Sequence, residues 1–261
     1  MISCLTVTRE GKVEDLRRAV RCFDDQTVTE RELLIIHDGG NALDLTIQEL
    51  AEEFPDSQIR VEQEKPGLSL GALRNRSVEL ASHDIVCQWD DDDLSHPKRL
   101  EVQLAELRRE EADFCFFTDQ LHYFEHTGEM YWDDWTVEEY PMSLIQGTLM
   151  GYRDRLGSYD DLPKGEDTPV VVDLVRRGCR VAQLSGRGYL LIYVFNGRNA
   201  WGLEHHAAIS TWKRMPKARL LEHKEVLRSH LADYQLFDPV VMMPHEAGAM
   251  FIELPPSPHY S

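Results

Sequence analysis

Residues 84–100 read DIVCQWDDDDLSHPKRL, an apolar run followed by four consecutive aspartates. The apolar run predicts a short buried strand, and the aspartates stand at its carboxyl end. Four like charges in a row repel one another, so their place beside a predicted core favours a function that needs negative charge, such as holding a cation or a ligand. A solvated acidic turn is the alternative, because isolated acidic runs are usually just that.

The sequence before this stretch alternates strand and helix patterns. Strands are predicted at Ile2–Thr8, 32–36, 58–64 and 84–89, with amphipathic helices between them. Repeated β-α units imply a parallel sheet with right-handed crossovers. We therefore predict an α/β fold, in which a Rossmann-type, mostly parallel sheet is flanked by helices in a single domain.

The second half of the chain is less regular. A strand is predicted at 113–124, and a polar, aromatic-rich, irregular excursion follows at 125–143. Helices are predicted at 168–178, which Pro169 opens and a glycine closes, and at 217–234. One continuous domain therefore remains a better prediction than two.

Three polar loops follow the predicted strands of the first half: TREGK, HDGG and WDDDDLSHP. In parallel α/β sheets, ligands bind beyond the carboxyl ends of the strands. The three loops therefore predict a ligand site at one edge of the sheet, and the aspartates lie in it. This context favours a metal site over a solvated turn, and Mn²⁺ or Mg²⁺ is the expected cofactor because both prefer oxygen ligands.

Composition excludes several classes of protein. The 261 residues are 42% hydrophobic and carry a formal net charge of −18, which argues against general nucleic-acid binding and against an anionic membrane surface. Five cysteines with no CxxC pair favour reduced core residues of a cytosolic protein. Because there is no signal peptide and no apolar run of about 18 residues, we expect a cytoplasmic protein without a transmembrane segment.

The segment at 87–103, CQWDDDDLSHPKRLEVQ, resembles the Asp-x-Asp segment of family 2 glycosyltransferases with the GT-A fold. Three further segments are similar to that family in order and spacing: ELLIIHDGG at 32–40, GLSLGALRNRSVELASHDIV at 67–86 and KGEDTPVVVDLVRRG at 164–178. The resemblance covers residues 1–180 and implies a GT-A-like fold. It further implies a nucleotide-sugar-binding half at 1–125 and an acceptor-binding and catalytic half of the same domain at 126–261.

The resemblance implies different roles for the aspartates at the end of this strand. Asp92 is predicted to be the main metal ligand, while Asp90 and Asp91 are predicted to bind the donor. The other predicted donor-binding residues are Thr8, Arg9, Asp38, Lys65, Arg74 and Asn75.

Some of these donor contacts have plain structural alternatives. Asp38 could form an Asx-turn instead, and Arg74 and Asn75 could be surface residues of the third helix. The sequence also departs from the family pattern, because His37 replaces the first aspartate of the second-strand pair and Gly40 replaces its serine. These departures leave the recognition of the nucleotide base open.

Glu166 and Asp167 stand where the family has the Glu-Asp motif that opens a helix. The resemblance implies that Asp167 is the general base that deprotonates the acceptor hydroxyl, with Glu166 as its partner in catalysis, either orienting it or capping the helix. A helix cap alone is the alternative for both residues, since a helix N-terminus favours an ionised carboxylate.

Two later segments supply further candidates. His205 and His206 follow a predicted strand, and the resemblance implies that one of them completes the metal site or contacts the diphosphate; a polar helix start is the alternative. Trp132 and Trp135 could form an acceptor site, because aromatic faces stack on sugar rings, or they could belong to a buried aromatic loop.

The resemblance implies a metal-dependent, inverting glycosyltransferase that moves a sugar from a nucleotide-diphosphate sugar, such as a UDP-sugar, to a hydroxyl of a glycan or a lipid-linked acceptor. A nucleotidyltransferase that makes nucleotide sugars is one alternative, although the loop after the first strand holds only one glycine. A catalytically silent carbohydrate-binding protein on the same fold is another. No nucleic-acid partner is expected, and the oligomeric state stays open.

Overall fold

The computed structural model describes residues 1–255 apart from Gln235 and Phe237. The α-helices of this described part are α1 (Val13–Asp24), α2 (Asn41–Glu52), α3 (Leu70–Leu80), α4 (Arg99–Arg109), α5 (Asp167–Arg176), α6 (Leu203–Lys213), α7 (Lys217–Glu222) and α8 (Lys224–Leu231). The strands are β1 (Ile2–Thr8), β2 (Arg31–His37), β3 (Ile59–Gln63), β4 (Ile85–Gln88), β5 (Leu94–Ser95), β6 (Phe114–Phe117), β7 (Asp119–Phe124), β8 (Glu129–Asp134), β9 (Met150–Tyr152), β10 (Val181–Leu184), β11 (Leu191–Phe195), β12 (Val240–Met242) and β13 (Met250–Ile252).

The described residues form a seven-stranded sheet with the order β10-β6-β9-β4-β1-β2-β3. Its neighbouring strands run parallel except at β9, which is antiparallel to both β4 and β6. Strands β1 and β2 are buried along nearly their whole length, as expected for apolar strands that helices cover on both faces. The predicted α/β fold with a mostly parallel sheet is confirmed.

A second sheet was not predicted. Within the described residues it has six strands in the order β13-β12-β8-β7-β11-β5, and it is mixed, with β7 antiparallel to β8 and parallel to β11. Because β9 and β10 of the first sheet also come from the second half of the chain, both halves contribute to that sheet and to each of the two clusters of buried apolar residues.

The prediction of one strand at 113–124 is wrong, because Thr118 divides the segment between the two sheets. On the β6 side, the Phe117 N–H donates to Thr148 Oγ1 (2.9 Å), and the Phe117 carbonyl accepts from the Ile145 N–H (2.9 Å). The Thr118 carbonyl accepts from the Trp135 N–H (2.8 Å). Since different segments take the backbone groups around Thr118, the chain leaves the first sheet there and enters the second as β7.

Two further expectations need correction. The excursion at 125–143, predicted as irregular, contains β8, which pairs with β7 as an antiparallel hairpin. The helix predicted at 217–234 is two helices, α7 and α8, that meet at His223. Leu220, Leu227 and Leu231 are all buried, so the apolar stripe that predicted one helix is kept across the break.

The helices on the first sheet follow their sequence patterns closely. The predicted face of α1 (Leu16, Ala19, Val20 and Phe23) is fully buried in the core. This packing leaves the loops after β1 and β4 at the carboxyl edge of the sheet, where the candidate site lies. No described helix is both long and apolar enough to span a bilayer.

Candidate active site

A cavity of about 830 Å³ opens at the carboxyl edge of the first sheet. The segments that converge on it include the loop after β1, the aspartates after β4, the stretch at 135–147, the turn before α5 and the turn before α6. The site residues that line it are Thr8, Arg9, Lys12, Arg74, Asp90, Asp91, Asp92, Asp93, Trp135, Lys164, Glu166, Asp167, Tyr193, Arg198, Asn199, Trp201 and His205. Most of the residues predicted from the sequence therefore share one cavity.

Lys12 neutralises part of the charge on the aspartates that follow β4. Its Nζ lies 2.7 Å from Asp92 Oδ2 and 3.1 Å from Asp91 Oδ1. Asn199 Nδ2 also donates to Asp92 Oδ2 (3.1 Å). Even so, burial and the neighbouring Asp92 carboxylate raise the pKa of Asp91 to about 7. Negative charge is therefore concentrated here beyond what the side chains at hand neutralise.

Asp90 is held separately, by Arg74 from α3. Arg74 Nη2 donates to Asp90 Oδ1 (3.0 Å), and Arg74 Nε donates to Glu166 Oε1 (2.5 Å) at the start of α5. Gln88 Nε2 also donates to Asp90 Oδ2 (3.1 Å). The buried guanidinium thus joins the Asp-x-Asp segment to the Glu-Asp segment, which lie far apart in the sequence.

Asp93 connects the cavity to the second sheet. It is buried, and its Oδ1 accepts from the Val194 N–H of β11 (3.1 Å). Burial, with the nearby Asp92 carboxylate, raises the pKa of Asp93 well above its usual range. A carboxyl bonded to the backbone in this way braces the two sheets against each other.

Asp167 is the first residue of α5, and its carboxylate is half-buried on the cavity wall. Its Oδ1 accepts from the Thr168 N–H (2.8 Å). Burial raises the pKa of Asp167, while the Arg74 charge opposes that rise and Glu166 adds to it. A carboxylate with a raised pKa is a better proton acceptor, which is the property that a general base needs.

The turn before α5 approaches α3 so closely that only glycine fits between them. A Cβ on Gly71 would lie 1.8 Å from the carbonyl oxygen of Asp160. The next turn of α3 carries Asn75, whose side chain donates to the Tyr159 carbonyl and accepts from the Tyr159 N–H, both at 2.8 Å. Asn75 was predicted to bind the donor, but its amide is bonded to this backbone and does not line the cavity.

Two other predicted donor contacts also stand outside the cavity wall. Asp38 accepts from the Gly67 N–H (3.0 Å) and lies 3.9 Å from Arg9, at the margin of the site. Lys65 is exposed and does not line the cavity. Thr8 and Arg9 do line it, as predicted from the loop after β1.

The two histidines have different surroundings. His205 lines the cavity and stacks on Trp201, with ring centroids 4.5 Å apart. His206 is fully buried, with its Nδ1 at 2.9 Å from His122 Nε2, and burial with the neighbouring His122 lowers the pKa of His206 to about 3. A metal ligand at His206 is therefore the wrong expectation for this geometry, because its ring nitrogens face protein atoms rather than the cavity.

The two tryptophans also separate. Trp132 is fully buried in β8, and its indole N–H donates to Asp119 Oδ2 (2.7 Å). No face of this ring is free to stack on an acceptor sugar, so the prediction for Trp132 is wrong. Trp135 lines the cavity, with Lys213 Nζ 4.5 Å from its ring centroid.

Several cavity residues escaped the sequence analysis. They are Lys12, Lys164, Tyr193, Arg198, Asn199 and Trp201. The loop of Lys12 and the segment before His205 had both been recognised as candidate regions, but nothing in a single sequence picks out one polar side chain in a loop. Trp201 joins two of the converging segments, because it contacts His205 on one side and Lys164 Nζ (4.2 Å from its ring centroid) on the other.

The donor atoms in the cavity fit a hard divalent cation. Carboxylate oxygens of Asp91 and Asp92 both contact Lys12 Nζ on the cavity wall, and burial, with the Asp92 charge as the second cause, raises the pKa of Asp91. Oxygen ligands of this kind suit Mn²⁺ and Mg²⁺. His205 is the one of the two predicted histidines that faces the same space.

A second cluster of possible metal ligands, His96, His230 and Asp233, lies outside the cavity. His96 Nε2 is 2.9 Å from Asp233 Oδ2 and 3.0 Å from His230 Nδ1. The Lys98 N–H donates to His96 Nδ1 (3.0 Å), so the neutral ring carries its proton on Nε2. A metal would need the lone pair of that nitrogen, and we therefore interpret the cluster as a hydrogen-bonded link between the segment before α4 and the carboxyl end of α8.

The mostly parallel sheet with an aspartate-rich loop at its carboxyl edge is the architecture of GT-A glycosyltransferases. S. aureus TarS (residues 1–349) superposes with a TM-score of 0.59 at 13% identity, over 90% of this chain and 75% of that one. The mannosyltransferase PcManGT of Pyrobaculum calidifontis gives a TM-score of 0.56 at 12% identity, over 89% of this chain and 62% of that one. At these identities the likeness establishes the fold.

The family follows from the sequence. The model of glycosyl transferase family 2 matches residues 4–158, and the chain belongs to this family. The Bacillus subtilis (strain 168) protein named "Putative glycosyltransferase EpsH" is 28% identical over 149 residues, which is 52% of this chain and 41% of that protein. The amylovoran biosynthesis glycosyltransferase AmsE of Erwinia amylovora is 25% identical over 103 residues, 39% of this chain and 38% of that protein. The matches thus span about two fifths of the length of these relatives.

Proposed function

We propose that the chain is a metal-dependent, inverting glycosyltransferase that moves a sugar from a nucleotide-diphosphate sugar to a hydroxyl of a glycan or a lipid-linked acceptor, and that it works in the cytoplasm. One observation carries this proposal: Asp167, a half-buried carboxylate with a raised pKa caused by burial, lines the same cavity as the aspartates after β4. Arg74 links the two groups through Glu166 and Asp90.

The donor side of the cavity is the carboxyl edge of the first sheet. We assign it to residues 1–125, whose loop after β1 and aspartates after β4 would face the nucleotide diphosphate, and the acceptor side to residues 126–261. Thr8, Arg9 and Arg74 line the donor side, and the partly exposed guanidinium of Arg9 suits a phosphorylated ligand. Trp135, on the other side, offers a ring face to a sugar acceptor.

Structural neighbours and relatives support the choice of substrates. TarS has been solved with UDP-GlcNAc, and PcManGT with GDP-Man and Mn²⁺. AmsE carries a name in polysaccharide biosynthesis. A UDP-sugar donor and a glycan acceptor are therefore the first pair to test on this chain.

A divalent cation bound in the cavity would neutralise the charge that develops on the leaving diphosphate. Asp92 would be its main protein ligand, with Asp91 and His205 beside it. Arg74 would keep Asp90 and Glu166 in place while the donor binds, because its guanidinium donates to both carboxylates. These assignments leave Asp167 as the carboxylate available to the acceptor.

Transfer then needs one displacement. The acceptor oxygen forms a bond to the anomeric carbon while the bond from that carbon to the diphosphate oxygen breaks, and the nucleoside diphosphate leaves with the bonding electrons. Asp167 takes the acceptor proton as the new bond forms. The raised pKa of Asp167, which burial causes, lets the carboxylate hold that proton during the step.

The experiment is a donor panel with release of free nucleoside diphosphate as the readout. UDP- and GDP-sugars are offered with and without glycan acceptors, and each reaction is repeated with a chelator and again with Mn²⁺ restored. We expect release from one donor class that requires both acceptor and metal. If no donor is turned over, or if nucleotide sugars are made from sugar phosphate and nucleoside triphosphate instead, the proposal is wrong.

A further inference from the structure

Lys12 lies at the point where the loop after β1 meets the aspartates after β4. Its ammonium donates to Asp92 Oδ2 (2.7 Å) and to Asp91 Oδ1 (3.1 Å), and only about a fifth of its side chain is exposed. It follows Gly11, which has a φ of +84° and no other atom within 4 Å of the position that a Cβ would take. Lys12 is thus a full positive charge on a long stem, anchored next to a residue that accepts unusual backbone angles.

Asp92 Oδ2, the oxygen that Lys12 contacts most closely, already accepts two hydrogen bonds. Asp92 Oδ2 accepts from Lys12 and also from Asn199 Nδ2 (3.1 Å). A carboxylate oxygen offers about two lone-pair directions. A divalent cation that binds this oxygen must therefore displace one donor, and the ammonium is the one that also repels the cation.

We propose that Lys12 is a built-in counter-ion that competes with the divalent cation for Asp91 and Asp92 and, once displaced, binds the diphosphate of the donor. This inference rests on the proposed function, because it concerns the same metal and the same donor. In the absence of nucleotide, the ammonium holds the two carboxylates and keeps the affinity for free metal low.

The donor changes the competition between Lys12 and the cation, because it brings phosphate oxygens into the cavity. Lys12 exchanges its carboxylate partners for phosphate partners, so displacement no longer leaves a charge without a counter-charge. Metal and diphosphate therefore bind more tightly together than either does alone, and by linkage each raises the affinity for the other by the same factor. Lys12 is the residue that couples them.

The first test is a Mn²⁺ titration without nucleotide, in which free Mn²⁺ is followed by electron paramagnetic resonance. Lys12→Met keeps most of the stem and removes the charge, and we expect it to bind Mn²⁺ at least about tenfold more tightly than wild type, a factor that corresponds to about 1.4 kcal/mol. Lys12→Arg keeps the charge and should stay near wild type.

Arg9→Met is the matched control. It removes an equal charge from the same loop, but Arg9 contacts Asp38 (3.9 Å) and the Leu68 carbonyl (3.0 Å) rather than Asp91 or Asp92. We expect its Mn²⁺ affinity to change by less than about threefold, the size of a screened long-range effect. An equal rise in Mn²⁺ affinity in Lys12→Met and Arg9→Met would mean that the affinity depends only on net charge, which would overturn the inference.

The second test measures the affinity for UDP at saturating Mn²⁺ by calorimetry. Lys12→Met should weaken UDP binding by about tenfold or more, the usual scale for one charge-assisted hydrogen bond, so the coupling between metal and nucleotide falls. Lys12→Gln serves as a second uncharged variant, and thermal unfolding shows that each variant is folded.

The outcomes separate the two proposals. Unchanged or weaker Mn²⁺ binding in Lys12→Met, alongside a wild type that binds Mn²⁺, overturns the role of Lys12 and leaves the metal-dependent transferase standing. Mn²⁺ binding in neither protein, even with UDP present, overturns both. Tighter Mn²⁺ binding together with weaker UDP binding is the result that we predict.

Discussion

Two groups of carboxylates line one cavity, and Arg74 stands between them. The group after β4, Asp91 with Asp92, is paired with the ammonium of Lys12. In the group at the start of α5, the two carboxylates have different partners. Glu166 accepts from Arg74, whereas Asp167 accepts only from the neighbouring Thr168 N–H among the described hydrogen bonds. The same side-chain type is thus paired with an ammonium on one side and, at Asp167, left without a side-chain donor among the described hydrogen bonds on the other.

The two groups differ in their surroundings rather than in residue type. Burial raises the pKa of both Asp91 and Asp167, but a second carboxylate is the next cause at Asp91, whereas the charge of Arg74 is the next influence at Asp167 and opposes the rise. A crowded pair suits a cation, and a carboxylate whose pKa is raised mainly by burial suits proton transfer.

Asp167→Asn should produce the largest effect. The amide keeps the size and the bond to the Thr168 N–H but cannot take the acceptor proton, so we expect the transfer rate to fall by about 10²–10⁴-fold with donor affinity unchanged. Single-turnover kinetics at saturating donor measures this. Asp173→Asn, on the same helix but outside the cavity, is the matched control. If Asp167 were only a helix cap, activity would survive in the variant, because asparagine caps about as well as aspartate.

Asp92→Ala should act on binding instead. Loss of one charge-assisted contact costs about 1.5–3 kcal/mol, so the Mn²⁺-dependent affinity for UDP should fall by roughly 10–150-fold. Calorimetry with and without chelator gives the comparison, and Asp84→Ala, exposed before β4, is the control. Equal UDP affinity with and without chelator in the wild type would contradict the assignment of this group to a cation.

Glu166→Gln should lower stability more than activity. Glu166 is buried against Arg74. The change leaves the buried guanidinium with Asp90 as its remaining charged acceptor of the two. We therefore expect a loss of about 1–3 kcal/mol in the free energy of unfolding. Urea denaturation measures it. The same change at Glu79, which pairs with Arg76 on the solvent side of α3, should have no measurable effect.

The pH dependence of stability should reveal the crowded pair. Burial, with Asp92, raises the pKa of Asp91 to about 7, so between its unfolded value and that pH the folded state binds more protons than the unfolded state. Its contribution is therefore fully present at acid pH and is lost as the pH rises. Wild type should lose about 1–2 kcal/mol more than Asp91→Asn between pH 5 and pH 7, since each pKa unit is worth about 1.4 kcal/mol. If the free energy of unfolding changes with pH in the same way in both proteins, the pKa of Asp91 is not raised in the folded state.

The first half of the fold was predictable because its signals are local. Apolar strands such as Ile2–Thr8 and a helix face such as that of α1 depend on short-range periodicity, and the structure keeps both. The second sheet was not predictable, because β5, β12 and β13 are only two or three residues long, and the hairpin of β7 and β8 joins the sheet through partners far along the chain. Thr118 shows this, since its role in dividing one apolar run follows from contacts with segments far along the chain.

In the candidate site, too, the features that local sequence determines were predictable and the others were not. The sequence placed the aspartates after β4 and the Glu-Asp pair at a helix start, because strand ends and helix starts are local features. It could not distinguish His205 from His206, or Trp132 from Trp135, because adjacent or nearby side chains differ only in which way the fold turns them. Lys12 was missed for a related reason, since a lysine in a polar loop has no local signature.

The anomeric configuration of the product is the measurement that tests the division between the two carboxylate groups most directly. If the group after β4 holds the leaving diphosphate and Asp167 is the single base for the acceptor, the sugar moves in one displacement. ¹H NMR of the product, made from a donor of known configuration, should then show an inverted anomeric centre. A product with retained configuration would contradict the account, because one displacement assisted by Asp167 cannot give it.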